Sequence, residues 1–293
     1  MARSAGGAVA IGAMPELVLG PDHGQLAVHT PFLMRTGADV YLFYCRCDLD
    51  PDGSVPRHRQ FRIFVARQKD DGSGWDLDHE PAIAMRSSVC RPWVVATDGG
   101  WRMYFVRSLP PFASASRIYA ATSRNLTQWE VREQPLIEPI DRRELQGSPC
   151  LVPDGERVRL YFSAGSKGCQ GDDMYLAEGP TEDRLKVNGD FRVDPGEGYR
   201  NSRFAPFVYI AEGKWRMLFT GRDEEKGRYR TFLAESEDGV RFGPGRLALD
   251  LAGDSRFEHG AYKAVLFEGW MYFVGVDGTG HSAVYRLPMG RQV

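Results

Sequence analysis

The stretch from Phe204 to Arg222 is a pattern that the chain repeats, and no other feature constrains its fold as tightly. Pro206 opens an apolar β-forming run, Phe207 to Ile210, where a missing N–H is tolerated at the start of a strand. Glu212-Gly213-Lys214 supplies a turn, and Trp215 to Thr220 returns as a second aromatic and apolar strand. The landmarks are a proline and an aromatic thirteen residues later: Pro31 and Tyr44, Pro92 and Phe105, Pro149 and Phe162, Pro206 and Phe219. Gly260 and Phe273 keep that spacing in a fifth copy. The return strands align as Tyr41-Leu42-Phe43-Tyr44, Arg102-Met103-Tyr104-Phe105, Arg159-Leu160-Tyr161-Phe162, Arg216-Met217-Leu218-Phe219 and Trp270-Met271-Tyr272-Phe273. Successive copies start 61, 57, 57 and 54 residues apart.

Each copy continues into a third strand: Phe61 to Ala66, Arg117 to Ala121, Met174 to Ala177, Arg230 to Ala234 and Ala283 to Leu287. Turns lead from Ala66 to Trp75, Ala121 to Trp129 and Ala234 to Phe242, and an outer strand follows, as in Pro135-Leu136-Ile137 and Leu247-Ala248-Leu249. Four antiparallel strands per repeat make one propeller blade. The expectation is an all-β, five-bladed β-propeller with four-stranded antiparallel blades in a single domain. The blades run approximately over 29–80, 90–138, 147–194, 204–250 and 258–293 plus 16–20. The last blade lacks an outer strand, and Glu16-Leu17-Val18-Leu19 is expected to supply it and so remove two free sheet edges. Helical periodicity is nearly absent.

Composition excludes some functions. With 37 basic and 39 acidic side chains the net charge is −2, which offers no basic field for nucleic acid or an anionic membrane. No apolar run is long enough to span a bilayer, and residues 1 to 14 have no convincing signal-peptide core. Five cysteines without metal-type spacing fit reduced thiols, and the expected location is cytoplasmic. That location disfavours a polysaccharide and favours a small-molecule or sugar ligand. Oligomeric state is left open.

In a propeller the first strand of each blade lines the central channel, and the residues before it lie at one mouth with the ends of the second strands. This collects His29-Thr30, Cys90-Arg91, Gly147-Ser148, Arg203-Phe204 and Glu258-His259, together with Arg46, Asp48, Arg107, Ser166, Arg222, Asp223 and Asp277. Asp22, His23 and Glu144 lie in the incoming loops. Such convergence of polar groups over a concave site marks a binding site.

The Gly-x-Trp/Tyr-x-Met-Tyr-Phe strands, the Ala-x-Ser-x-Asp-Gly-x-x-Phe segment from Ala234 to Phe242 and Glu258-His259-Gly260 resemble the five-bladed glycosidases. These are glycoside hydrolase families 43, 62 and 117 and, more loosely, 32 and 130. The resemblance covers almost the whole chain as architecture. It implies an axial His259 and an axial divalent ion, calcium or another, as the one candidate cofactor. Family 43 also implies three acids: an Asp before the blade-one proline, an Asp before the blade-three proline and a Glu two before the blade-four proline. Those positions hold Thr30, Ser148 and Phe204. Inverting hydrolysis needs two carboxyl groups flanking the bond, which these residues do not provide.

Other groups are therefore the catalytic candidates. Glu258 serves as a general acid if desolvated, or is a solvated loop carboxylate. His259 is a ligand, an acid or a structural residue. His29 stands at the corresponding place in blade one and faces His259 if the ring closes, an arrangement whose metal signal is weak without local spacing. Asp48 and Asp223 end equivalent strands and are catalytic groups or turn formers. Arg91, Arg107 and Arg203, with Ser148 and Arg222, are the substrate-binding candidates, since guanidinium offers a fork of donors; the three arginines equally suit inter-blade salt bridges. No residue set stands out as metal ligands, and Cys90 is expected to be an inert buried thiol. Three functions remain: a glycosidase-like enzyme acting on a small sugar-like or polar metabolite with a non-standard acid/base set; a non-hydrolytic cyclase, lyase or isomerase on the same scaffold; and a catalytically silent sugar-binding propeller.

Overall fold

The computed structural model describes residues 14–22, 25–54, 60–83, 85–109, 115–140, 145–165, 173–194, 196, 199, 203–222 and 227–289. Their strands form five antiparallel units. The inner strands are Gln25–Thr36, Val89–Thr97, Leu145–Asp154, Arg203–Ala211 and Gly260–Phe267. The second strands are Asp39–Asp48, Gly100–Leu109, Arg157–Gly165, Lys214–Arg222 and Trp270–Val276. The third are Phe61–Gln68, Ala115–Ser123, Asp173–Gly179, Tyr229–Ser236 and Ser282–Pro288. The outermost are Trp75–Leu77, Glu130–Val131, Lys186–Val187, Arg246–Leu249 and, from the other end of the chain, Glu16–Leu19. The inner strands touch one another in cyclic order, the fifth returning to the first, so they surround one axis. Two short 3-10 turns, Glu182–Arg184 and Ser255–Phe257, are the helical segments among the described residues, and no helix there is long and apolar enough to cross a membrane.

The landmark aromatics explain why each blade holds together. Tyr44, Phe105, Phe162, Phe219 and Phe273 stand directly opposite Phe64, Tyr119, Tyr175, Phe232 and Tyr285 on the neighbouring third strands. The ring centroids lie 5.8, 6.2, 5.8, 5.6 and 6.0 Å apart. Such pairs contribute about 0.5–1.5 kcal/mol each beyond the area they bury. The Ser236–Gly239 turn is built by its own side chains: Ser236 Oγ accepts from the Gly239 N–H, and Asp238 Oδ1 accepts from Val240 and Arg241. Tyr161 of blade three then donates to the Gly239 carbonyl, and Arg159 lies over the Trp215 ring, tying blade three to blade four.

Two details differ from the sequence reading. Residues 135–137 are not a strand; the blade-two outer strand is Glu130–Val131, and only the Leu136 N–H bonds onward, to Ile118. The fifth blade also has a shorter hairpin. Its register pairs Val265 with Tyr272, as Phe32 pairs with Phe43, so Ala264 takes the place of the prolines and Gly260 does not. Ala264 follows Pro206 by 58 residues, closer to the other spacings. The pair equivalent to His29-Thr30 is Tyr262-Lys263, and Glu258-His259 precedes it by four residues.

The amino-terminal strand completes blade five as expected. Glu16 and Leu17 pair with Arg286 and Tyr285, and the Glu16 carboxylate accepts from Arg286 Nε at 2.9 Å. Removal of residues 1 to 20 should therefore expose the Ser282–Pro288 edge and leave an aggregating or less stable chain. Thermal melting of the truncated protein checks this; an unchanged melting temperature with full solubility would show the strand to be dispensable.

Candidate functional site at the propeller axis

Every inner strand carries a bulge at the same level. The register slips between His29 and Phe32, Cys90 and Trp93, Gly147 and Cys150, Phe204 and Phe207, and Tyr262 and Val265. At each slip a non-glycine residue is left-handed: Thr30 (φ 53°), Arg91 (62°), Ser148 (48°), Ala205 (56°) and Lys263 (53°). A left-handed L-residue costs roughly 1–2 kcal/mol, and such strain gathers where structure serves a site. Neighbouring blades satisfy part of the freed backbone. Cys45 Sγ accepts the Arg91 N–H at 3.1 Å and the Thr30 hydroxyl at 2.8 Å, Thr220 Oγ1 accepts the Lys263 N–H at 3.0 Å, and Cys150 Sγ accepts the Val208 N–H at 3.1 Å.

The channel beneath is filled with aromatic rings. Trp93 packs on Phe32 at 4.8 Å and on Phe207 at 5.6 Å, and its indole N–H donates to the Leu151 carbonyl. Lys263 reaches from blade five to this floor, with Nζ 5.9 Å from the Trp93 ring centroid. Its side chain is only 1% exposed, and its ammonium has no hydrogen-bond partner among the described residues. Burial pulls its pKa down to about 8, with Cys150 and Cys45 opposing and the Arg91 charge reinforcing the shift. Burial pushes the Cys45 and Cys90 thiols up, and Cys150 up to about 12, so these are inert thiols at neutral pH. Half-buried Arg91 lies against Gly147, where any Cβ would collide with the guanidinium. On the blade-four side Phe204, Tyr229 and Tyr262 form a ladder with centroids 5.8 and 5.3 Å apart, and Arg222 lies 6.0 Å over Tyr229. Burial raises the Tyr262 phenol pKa.

The other expected residues are placed as follows. His29 is buried, its ring edge-on to Phe61 at 4.2 Å, and Ser148 is buried at its bulge. Glu258 and His259 are both exposed; the Glu258 carboxylate lies against Gly278, and the His259 backbone bonds to Val276 and Tyr229. Asp48 pairs with Arg46 at 2.8 Å. Arg107 donates to Ser87 and lies over Tyr119, and Arg203 pairs with Asp173 at 2.8 Å and donates to the Val193 carbonyl. Arg222 donates to the Gly227 carbonyl. Asp223, Ser166, His23 and Glu144 lie outside the described residues. Two grooves, of ≈ 560 and ≈ 300 Å³, run along the outer strands of blades three and two respectively, and no inner-strand residue lines either.

Sequence reasoning missed Lys263 and Tyr262. The available signal was a lysine inside the apolar run Ala261 to Leu266, together with the more regular spacing that Ala264 gives. The axial groups do not fit a divalent cation: two cations, thiols and hydroxyls converge there, and no cluster of three His, Cys, Asp or Glu ligands occurs among the described residues.

Neither a protein-family model nor a curated protein matches this sequence. Solved structures do match. A β-1,2-mannobiose phosphorylase from Listeria innocua, solved with β-1,2-mannobiose, superposes with a TM-score of 0.69 at 13% identity, over 94% of this chain and 95% of that one. The Bacillus subtilis arabinanase gives 0.64 at 13% over 94% and 95%. An exo-1,5-α-L-arabinanase from a bovine ruminal metagenomic library gives 0.62 at 17% over 91% and 93%. The chain has the fold of the β-propeller glycosidases. Within that fold Thr30 and Ser148 stand on left-handed bulges, with Phe204 beside a third, and none of the three carries an acid.

The buried Lys263 has a consequence for stability. Its folded pKa lies below the ordinary 10.5, so the unfolded chain binds more protons between about pH 8 and 10.5 and wild-type stability rises with pH there through this group. Below pH 8 the buried charge costs on the order of 3 kcal/mol. In buffer free of multivalent anions, Lys263→Met should be the more stable protein at pH 7, with the gap shrinking toward pH 10. Urea unfolding of both proteins at the two pH values checks this; a gap that does not change with pH removes the buried charge as its cause.

Proposed function

We propose that this chain binds and acts on a small sugar-like, polar ligand at the axial mouth, using an acid/base set different from the three carboxylates of the family 43 pattern. One observation carries the reading: three half-buried aromatic rings, Phe204, Tyr229 and Tyr262, stand beside Arg222 around strained bulges that also carry Arg91 and Lys263. Aromatic faces with a few placed polar groups suit the apolar faces and hydroxyls of a sugar ring. The similar solved structures named above include a phosphorylase bound to β-1,2-mannobiose and an arabinanase, which supports the substrate class by analogy of fold. The acid/base set is drawn from Glu258, His259 and Asp48 at the rim, with His29 deeper; Asp223, the remaining candidate, lies outside the described residues. Arg91, Ser148 and Arg222 contact the ligand, and Arg107 and Arg203 hold the mouth from their present partners.

A second reading, binding without turnover, is favoured by Thr30, Ser148 and Phe204 standing where the acids are expected. Without paired carboxyl groups there, neither protonation of the leaving group nor activation of water proceeds in the usual way. A cyclase, lyase or isomerase on the same groups is the remaining alternative.

Aryl arabinosides and xylosides should show little or no turnover. Once a ligand is found by thermal shift, Glu258→Gln and His259→Ala should each lower turnover at least tenfold, about 1.4 kcal/mol, with folding intact because both residues are exposed. Glu212→Gln, in an exposed hairpin turn at the opposite face, is the control. Equal turnover by all four proteins moves the acid/base set elsewhere. A ligand that binds tightly and emerges unchanged from every assay favours the second reading.

A further inference from the structure

We propose that Arg91 and Lys263 form an oxyanion site on the propeller axis that holds the acidic group, phosphoryl or carboxylate, of the small ligand. The proposal rests on the reading that the mouth takes a sugar-like ligand and adds its charge. Lys263 is a fully buried ammonium without a hydrogen-bond partner among the described residues, and the half-buried Arg91 guanidinium shows no hydrogen bond or ion pair among them. The two arise on equivalent bulges of blades five and two, and the positive charge of one bears on the other. A fully buried ammonium beside a half-buried guanidinium is costly, because the ammonium loses its hydration and gains no counterion among the described residues.

Among the described residues, the groups near Lys263 do not supply one. Cys45 comes from the blade-one second strand, Cys150 from the blade-three inner strand, and Tyr262 from the same strand as Lys263. Burial raises the pKa of all three, so they stay neutral near pH 7. The hydroxyls of Thr30 and Thr220 are already engaged as donor and acceptor respectively. The positions where the glycosidase pattern carries carboxylates hold none, and no carboxylate among the described residues pairs with either cation, so the acid of the pair is assigned to the ligand. Guanidinium and ammonium are the two groups that recognise phosphoryl and carboxylate oxygens, one as a planar fork and the other as a point charge. Gly147 leaves the backbone flat beside the Arg91 guanidinium, where a side chain would displace it. Trp93, Phe32 and Phe207 close the floor and keep water from screening the charges.

The test is calorimetric titration of the full chain at pH 7 with inorganic phosphate, glucose 6-phosphate, glucuronate and neutral glucose as probes. At least one acidic probe should bind wild type, and bind at least tenfold more weakly to Arg91→Gln and to Lys263→Met, with Glu212→Gln unchanged. The phosphoryl and carboxylate probes separate the two sources of the oxyanion. Binding should also weaken above pH 8 in wild type as Lys263 loses its proton. If Lys263→Met does not fold, the half-buried Arg91→Gln carries the comparison. No binding of any acidic probe, or binding equal in wild type and variants, overturns the proposal. Neutral glucose bound as well as the acidic sugars overturns the anion site and leaves the sugar reading standing. Phosphate bound through Arg91 and Lys263 with no preference for the sugar forms supports the anion site and overturns the sugar reading.

Discussion

The left-handed bulge in each inner strand is the constraint on which the rest of the site depends. A regular strand alternates its side chains, and a one-residue insertion re-aims them and bends the strand. Repeated five times around one axis, the insertion places Thr30, Arg91, Ser148, Ala205 and Lys263 at a single level. Proline follows in four blades, which removes an N–H that the bulge would leave unpaired, and Ala264 follows in the fifth. The remaining freed groups are partly bonded across blades, as with Arg91 to Cys45 and Lys263 to Thr220. Each blade thereby helps to hold the strained residue of the next.

The strain is offset by what surrounds it. The cross-strand aromatic pairs lie one strand outward from the bulges and recur in every blade with nearly the same separation. Turns such as Ser236–Gly239 lock blade to blade through Tyr161 and Arg159. Scaffold positions converge on one residue type because they answer the same packing problem five times. The bulge positions differ in every blade, which is what the proposed ligand role would require of them.

Electrostatics at the axis have the opposite sign to a carboxylate-driven glycosidase. Among the described residues, Lys263 and Arg91 meet thiols and hydroxyls that remain neutral, while Glu258 and Asp48 stand at the exposed rim. A positive interior attracts acidic or strongly polar ligands and lowers the pKa of its own amine. The same fold can therefore serve a chemistry other than two-carboxylate hydrolysis, because fold fixes where a site lies and side chains fix what it does.

Local patterns in the sequence determined the repeat, the strand order within each blade, the closing strand Glu16–Leu19 and the absence of acids at Thr30, Ser148 and Phe204. Each is a matter of spacing and residue type along a few positions, with a proline to mark the register. Blade five has no such proline and a hairpin four residues shorter, so its register could be fixed only by the pairing of Val265 with Tyr272. That pairing decided that Lys263, and not His259, stands at the fifth bulge. Tertiary structure alone also decided which charges are engaged. Arg203 meets Asp173, Asp48 meets Arg46 and Arg107 meets Ser87, while Lys263 lies across the axis over Trp93. Partners brought together by ring closure lie far apart in sequence, and burial, which sets the charge of Lys263, is a property of the closed ring rather than of any one strand.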